Sequence, residues 1–289
     1  MAITVNTNMS SLVAQKSLNA STAKMTTAME RMSTGTRINT SKDDAAGMAV
    51  STKLNYKISS LGVAQDNGQM GASMLDTLEG VLGVYQTNLQ RIRDLTEQAA
   101  NGTYGTDALG AIQSEVEARF NELTRLSESS EFNGRCLLNG EITEDIKLQV
   151  GITHDSDKST ISLNSTLFEK ADASTLIGTF EGKTDIADIC EAAYSSDTNA
   201  RAFLEKVDEA LTNIIDRTTK IGGYQQRILS AVDAAGIMQT NLTSANSLIQ
   251  DADIAEESSD YIKEQILQQT SAVLLATANQ SPSIATQLV

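Results

Sequence analysis

Few side chains in this sequence could do covalent chemistry. There is one histidine, His154, and there are two cysteines, Cys136 and Cys190. A catalytic nucleophile needs a base held beside it. His154 instead sits in "HDSDKS", a polar, turn-prone stretch with neither cysteine near it in the chain. Zinc needs three or four ligands, and His154, Cys136 and Cys190 lack the tight spacing of a zinc site. There is no HExxH and no P-loop pattern, and Glu256–Glu257 reads as exposed helix charge. The expectation is no enzyme, no metal and no cofactor.

The stretch "RINTSKDDAAGMAV", residues 37 to 50, is a sharper candidate, with Arg37, Lys42, Asp43 and Asp44 close together. A calcium loop alternates its oxygen ligands, and two adjacent carboxylates do not. The same residues read better as a joint between helices. Gly35 can end a helix before it. Thr40 with Asp43, and Ser41 with Asp44, each fit the pattern of a capping hydroxyl followed three residues later by an acid. Ala45, Ala46 and Gly47 then permit close packing.

The elements on either side explain why a joint is needed. The chain has 289 residues, no Trp and one proline, Pro282. Residues 1 to 281 therefore carry no proline helix breaker. A compact globule leans on aromatics for core volume; a bundle of long helices can do without them. Every seventh residue from Val207 is apolar: Ile214, Ile221, Ile228, Ala235, Leu242 and Ile249. The offset row, Leu211, Thr218, Gln225, Val232, Gln239 and Asn246, is half polar, so this heptad seam is wet on one side. A second seam runs Leu75, Leu78, Leu82, Tyr85, Leu89, Ile92, Thr96, Ala99, and a shorter one Ile112, Val116, Leu123, Leu126. As one helix, 203 to 249 would be roughly 70 Å long. The middle differs: Ile146, Leu148, Val150 and Ile152, then Ile161 and Leu163, alternate about the polar turn, which predicts a β-hairpin near 146–163. Residues 165 to 200 read as loop, short strand and a helix start. The fold class expected is mainly α: a long antiparallel helical rod or coiled-coil bundle, a small β-hairpin region and paired terminal helices.

Charge separates the two ends. Residues 1–42 hold five cations against Glu30, for +4, and residues 249–289 hold six acids against Lys263, for −5. Both carry helical apolar spacings: Leu18, Met25, Met29 and Met32 in the first, Ile262, Ile266 and Val273 in the last. Two amphipathic segments of opposite charge are suited to pair, and their thin apolar content predicts poor order without partners. The net charge of −15 argues against a nucleic-acid partner and disfavours anionic membranes. No apolar run is long enough to span a bilayer. The start lacks the basic and apolar regions of a secretory signal peptide.

With these residues in view, "STGTRINTSKDDAAGMAVS" resembles the N-terminal signature of bacterial flagellin. So do "NLQRIRDLTEQAANGTYG", "IQSEVEARFNELTRLSESSEFNGRCLLNG", "GGYQQRI" and "ILQQTSAVLLATANQSP". They occur in the family's order at both ends. The resemblance implies a self-assembling subunit of the extracellular flagellar filament, exported unfolded through the flagellar type III pathway. Residues 1–42 and 249–289 would be the N- and C-terminal helices of the inner tube. Residues 43–248 would be the outer domain, with no central variable insert. The implied partners are further copies of the chain, an export chaperone at the C-terminal helix, filament cap and junction proteins, and an innate immune receptor of the Toll-like type. The receptor patch maps to Arg91, Leu95 and Glu115, with Gln90, Gln98 and Arg119 around them. Arg91 and Leu95 share a helix face, and Leu95 lies off the 75-to-99 seam, which predicts that it is free for an outside contact. The alternative reading makes Arg91 and Glu115 ordinary solvated or subunit-contact charges. The end, "SIATQLV", departs from the leucine-rich tail common in the family. Hook–filament junction proteins share similar termini and are the runner-up. The cysteines carry two readings: free or buried thiols, as suits a chain exported from a reducing cytosol, or a bridge joining the "NGRC" loop to "IADIC".

Overall fold

The computed structural model describes residues 7–286. Leu288 and Val289, the last apolar residues of the tail, lie outside them. The elements in chain order are α1 (Met9–Thr34), α2 (Ala45–Ala99), α3 (Thr106–Ser129), β1 (Glu131–Phe132), β2 (Arg135–Cys136), β3 (Ile146–Gln149), α4 (Ser156–Ser159), β4 (Thr160–Leu163), a 3-10 turn (Ser165–Leu167), α5 (Ala173–Ile177), α6 (Ile186–Ala193), α7 (Asp197–Gln250) and α8 (Ile254–Thr286). The fold is mainly α, with two small antiparallel strand pairs. It divides into two compact units, residues 59–239 and residues 1–58 with 240–289.

In the 59–239 unit, α2 and α7 run antiparallel. Their polar partners descend on one helix as they climb on the other: Gln65 with Gln239 at 2.8 Å, Asp76 and Glu79 with Gln225 at 2.8 and 2.9 Å, and Arg93 with Asp208 at 2.7 Å. Val207, Ile214, Ile221 and Ile228 are fully buried, as the heptad predicts. The half-polar row beside it is a functional part of the pairing: Thr218, Gln225 and Gln239 each bond to α2. Such polar positions specify register, because a slipped pairing leaves them unsatisfied.

The predicted hairpin forms with Ile146 opposite Leu163 and Leu148 opposite Ile161. Its connection is longer than a tight turn and includes the single turn α4. Gly71 lets β3 sit close to α2, since a Cβ there would meet Leu148. A second hairpin, β1–β2, stands where the sequence predicts only the "NGRC" loop. Asn133 and Gly134 have φ of 51° and 75° between the paired Phe132 and Arg135. That is the two-residue turn for which Asn-Gly is the strongest local signal.

Residues 165–200 depart from the expected loop and strand. They form the 3-10 turn, α5 and α6, with only an isolated bridge between Phe180 and Lys183. The helix start expected there is α7, which begins at Asp197. Four of the chain's eleven aromatics gather here. Phe203 takes edge contacts from Phe180, Tyr194 and Phe120, with ring centroids 5.4, 6.0 and 6.3 Å away. Concentrating them where α2, α3, α6 and α7 contribute to one core supplies the volume that a two-helix seam does not need.

Candidate assembly surface and the joint behind it

The joint lies in the unit of residues 1–58 and 240–289. Gly35 closes α1 with φ 71°, its N–H donating to Arg31 O. The chain then pairs with the break between α7 and α8. Arg37 N donates to Gln250 O at 2.6 Å, Ala252 N to Gly35 O at 3.0 Å, and the Arg37 guanidinium to Ile249 O at 2.8 Å. A cation on the last carbonyls of α7 satisfies them and suits the negative helix end. Ile38 is buried beneath this crossing, and a Cβ on Gly47 would come within 2.6 Å of the Ile38 Cδ1.

The caps differ from the expected pattern. Asp44, not Ser41, caps α2: its Oδ1 accepts from Ala46 N at 3.0 Å and Gly47 N at 2.9 Å. Ser41 gives no such cap because the helix begins three residues later than that reading needs. Asp43 reaches back to Thr40, accepting from its N–H at 2.9 Å and its hydroxyl at 3.0 Å. These two donors hold the Asp43 carboxyl below the usual carboxylate range. Thr40, Ser41, Asp43 and Asp44 therefore build a turn and a cap.

The joint folds α1 and α8 into an antiparallel pair, as the complementary charges suggested. Arg31 meets Glu257 at 2.9 Å and Lys24 meets Glu264 at 3.4 Å. Asn8 donates to Ala278 O at 2.8 Å, and Gln268 donates to Thr22 Oγ1 at 3.0 Å. The face that pairs is mixed: Leu18, Met25 and Met32, the expected apolar spacing of α1 without Met29, are half-buried in a row beside small and polar residues. On α1 it buries Ala14, Ser21 and Ala28, seven residues apart. On α8 it buries Glu264 and Ser271. The apolar spacing Ile262, Ile266, Val273 does not face α1; all three are exposed, as are Leu267 and Leu274. On α1, Met29 is exposed and so are Met9, Leu12 and Val13. A groove of Met9, Val13, Ala14, Leu274 and Ala278 runs between the two helices. Leu12 and Met29 on α1, and Ile262, Ile266, Leu267 and Val273 on α8, are exposed and do not line this groove.

The mapped patch on α2 and α3 lies in the other unit. Arg91 meets Glu115 at 3.1 Å, and Arg119 meets the same carboxylate at 3.1 Å while donating to Asn88 at 3.2 Å. Arg91, then Arg119, hold Glu115 below its usual range. Gln90 and Gln98 are exposed. Leu95 is only 3% exposed and belongs to the core, so it is not free for an outside contact. At this level α2 faces α3 through Arg91–Glu115 and α7 through Arg93–Asp208. A helix with two neighbours buries a second stripe.

No bridge joins Cys136 and Cys190; both are free thiols. Cys136 is half-buried, 3.7 Å from Glu128 O. Cys190 is fully buried on α6, and burial, with Glu117 adding to it, pushes its thiol up to about 12. Such a thiol is inert. Among the described residues no three His, Cys, Asp or Glu side chains converge on a metal position, and no helix is long and apolar enough to cross a membrane.

Comparison with known proteins agrees with this geometry. The bacterial flagellin N-terminal helical region matches residues 5–143, and the bacterial flagellin C-terminal helical region matches residues 204–289. Flagellin of Bacillus subtilis (strain 168) is 33% identical over 302 residues, covering 99% of each chain. Flagellin of Xenorhabdus nematophila is 34% identical over 313 residues, covering all of both. Among solved structures, a protein of Vibrio parahaemolyticus described as flagellar hook-associated superposes with a TM-score of 0.60 at 15% identity, over 72% of this chain and 99% of that one, a likeness of fold alone. With both terminal regions matched and whole-length relatives about one-third identical, the chain belongs to the bacterial flagellin family, the structural subunits of the extracellular flagellar filament.

Proposed function

We propose that this chain assembles through the exposed apolar faces of α1 and α8. As a flagellin it is a structural protein of the filament and not an enzyme. The observation that carries the assembly reading is the orientation of the terminal pair. Ion pairs, small residues and a half-buried row of Leu18, Met25 and Met32 hold α1 to α8, while Leu12, Met29, Ile262, Ile266, Leu267 and Val273 remain exposed. Exposed area of this kind is costly in a monomer and favourable in a polymer. The monomer travels unfolded through the flagellar type III channel, with an export chaperone on the α8 segment, and folds at the filament tip beneath the cap. There the ends order against neighbouring subunits, so folding and assembly are coupled.

Seeded polymerisation tests this. Purified monomer with short filament seeds should raise light scattering and yield uniform tubes in electron micrographs. A chain lacking residues 1–42 should remain a helical monomer; tubes formed without them would refute the reading. The hook–filament junction role shares the fold and would give a persistent monomer in the same assay.

The receptor reading has a narrower basis. Gln90, Arg91, Gln98, Glu115 and Arg119 form a polar and ionic patch on two adjacent helices, with Leu95 supporting it from beneath. Binding of purified monomer to the receptor ectodomain should fall for Arg91→Ala at unchanged stability. Leu95→Ala should lose binding only together with stability; unchanged binding for both would remove the patch from consideration.

A further inference from the structure

Two methionines of α1 are not explained by helix pairing. The chain has nine, and four of them, Met9, Met25, Met29 and Met32, lie in the 26 residues of α1. They serve two different faces. Met25 and Met32 are half-buried. Met9 is 64% exposed near the start of α1, beside exposed Leu12 and Val13, and Met29 is 49% exposed toward its end. Leucine would serve as an apolar contact there and forms helix about as well. Thioether sulfur adds one property that leucine lacks: it can be oxidised.

We propose that Met9 and Met29 are oxidation sites, and that their conversion to sulfoxide by a peroxide blocks addition of the subunit to the filament. The inference rests on the assembly reading above. In the reaction, the Sδ lone pair attacks one oxygen of hydrogen peroxide and the O–O bond breaks. The departing hydroxide takes the proton from the S–OH group. The products are a methionine sulfoxide and water, with sulfur oxidised and peroxide reduced. The new S=O is a strong acceptor where the subunit contact offers apolar surface. Burying an acceptor without a donor opposes association. Once assembled, the same sulfurs are covered by neighbours, so the free monomer is the vulnerable species.

Met70 and Met238, 59% and 53% exposed in the other unit, are equally open to reagent, while Met74 is 9% exposed. They provide internal controls. Purified monomer would be treated with graded hydrogen peroxide, its sulfoxides mapped by peptide mass, and its growth on untreated seeds followed by light scattering. Met9, Met29, Met70 and Met238 should oxidise before Met74. Growth should fall about tenfold once Met9 and Met29 are converted, as expected for burying one or two unpaired acceptors. The double variant Met9→Leu with Met29→Leu should keep its own untreated rate after peroxide, whereas Met70→Leu with Met238→Leu should be inhibited like the wild type. Reading each variant as a treated-to-untreated ratio removes any effect of the substitution itself. Undiminished growth of wild type oxidised at Met9 and Met29, or equal inhibition of the Met9/Met29 variant, overturns the proposal. Untreated wild type that fails to grow on seeds overturns the assembly reading, and this inference with it.

Discussion

Arg31 and Glu257 lie 226 positions apart in the chain and meet at 2.9 Å, the Arg31 side chain 31% and the Glu257 side chain 13% exposed. The contact joins helices that leave Met29, Ile262, Ile266 and Val273 exposed. Polar pairs of this kind decide how α1 and α8 sit against each other, because a slipped register leaves a half-buried carboxylate alone. Arg31→Glu should therefore abolish seeded growth by setting two carboxylates together. Adding Glu257→Arg should restore part of it, with a coupling of about 1 kcal/mol in a double-mutant cycle on the critical concentration. No rescue by the second substitution would show that the pair does not set the register.

Asp44 caps α2 through two backbone N–H groups. Asp44→Ala should cost about 1 kcal/mol in urea denaturation, and Asp44→Asn much less, since an amide oxygen also caps. Equal losses for the two would assign the effect to charge at the helix end and not to the hydrogen bonds.

Asp172 gives a pH dependence. Burial works to raise its carboxyl, but Lys170 at 2.8 Å, then Thr175 and Ser174, outweigh it and hold the group below its usual range. A folded-state value below the unfolded one adds stability at pH values above the unfolded pKa and loses it as pH falls through the folded one. The urea midpoint should therefore fall as pH drops from neutral through the carboxylate range. Asp172→Asn should lower the midpoint at neutral pH and flatten that fall. A variant curve parallel to the wild type would show that other carboxylates control the acid limb.

The thiols should differ in reactivity. Cys190, buried and with its pKa raised to about 12, should resist alkylation at mildly alkaline pH in the folded chain, while half-buried Cys136 reacts faster. In urea the two rates should converge. Protection of both thiols in the native chain, released together by a reductant, would indicate a bridge after all.

Local patterns made much of this fold legible. The row Val207, Ile214, Ile221, Ile228 is buried because a seven-residue repeat keeps one stripe of a helix facing its neighbour. The hairpin near 146–163 followed from alternation of period two; its register, Ile146 opposite Leu163, came with the structure. The Asn133-Gly134 turn was equally local, and its signal stood in the sequence as an Asn-Gly between short strands.

The sequence by itself determined the long helices, the 146–163 hairpin, the break at residues 35–44 and the opposed charges of the ends. Each depends on neighbours within a few positions or on composition. Only the tertiary structure decided what covers each helix face. Leu95 lay off the apolar row of α2 yet is buried, because α2 there has two neighbours. Ile262, Ile266 and Val273 made a stripe suited to pairing, yet they are exposed, and α1 meets Glu264 through Lys24 and Gln268 through Thr22, with Ser271 buried beside them. Periodicity shows that a helix has an apolar face; which surface meets that face depends on residues distant in the chain.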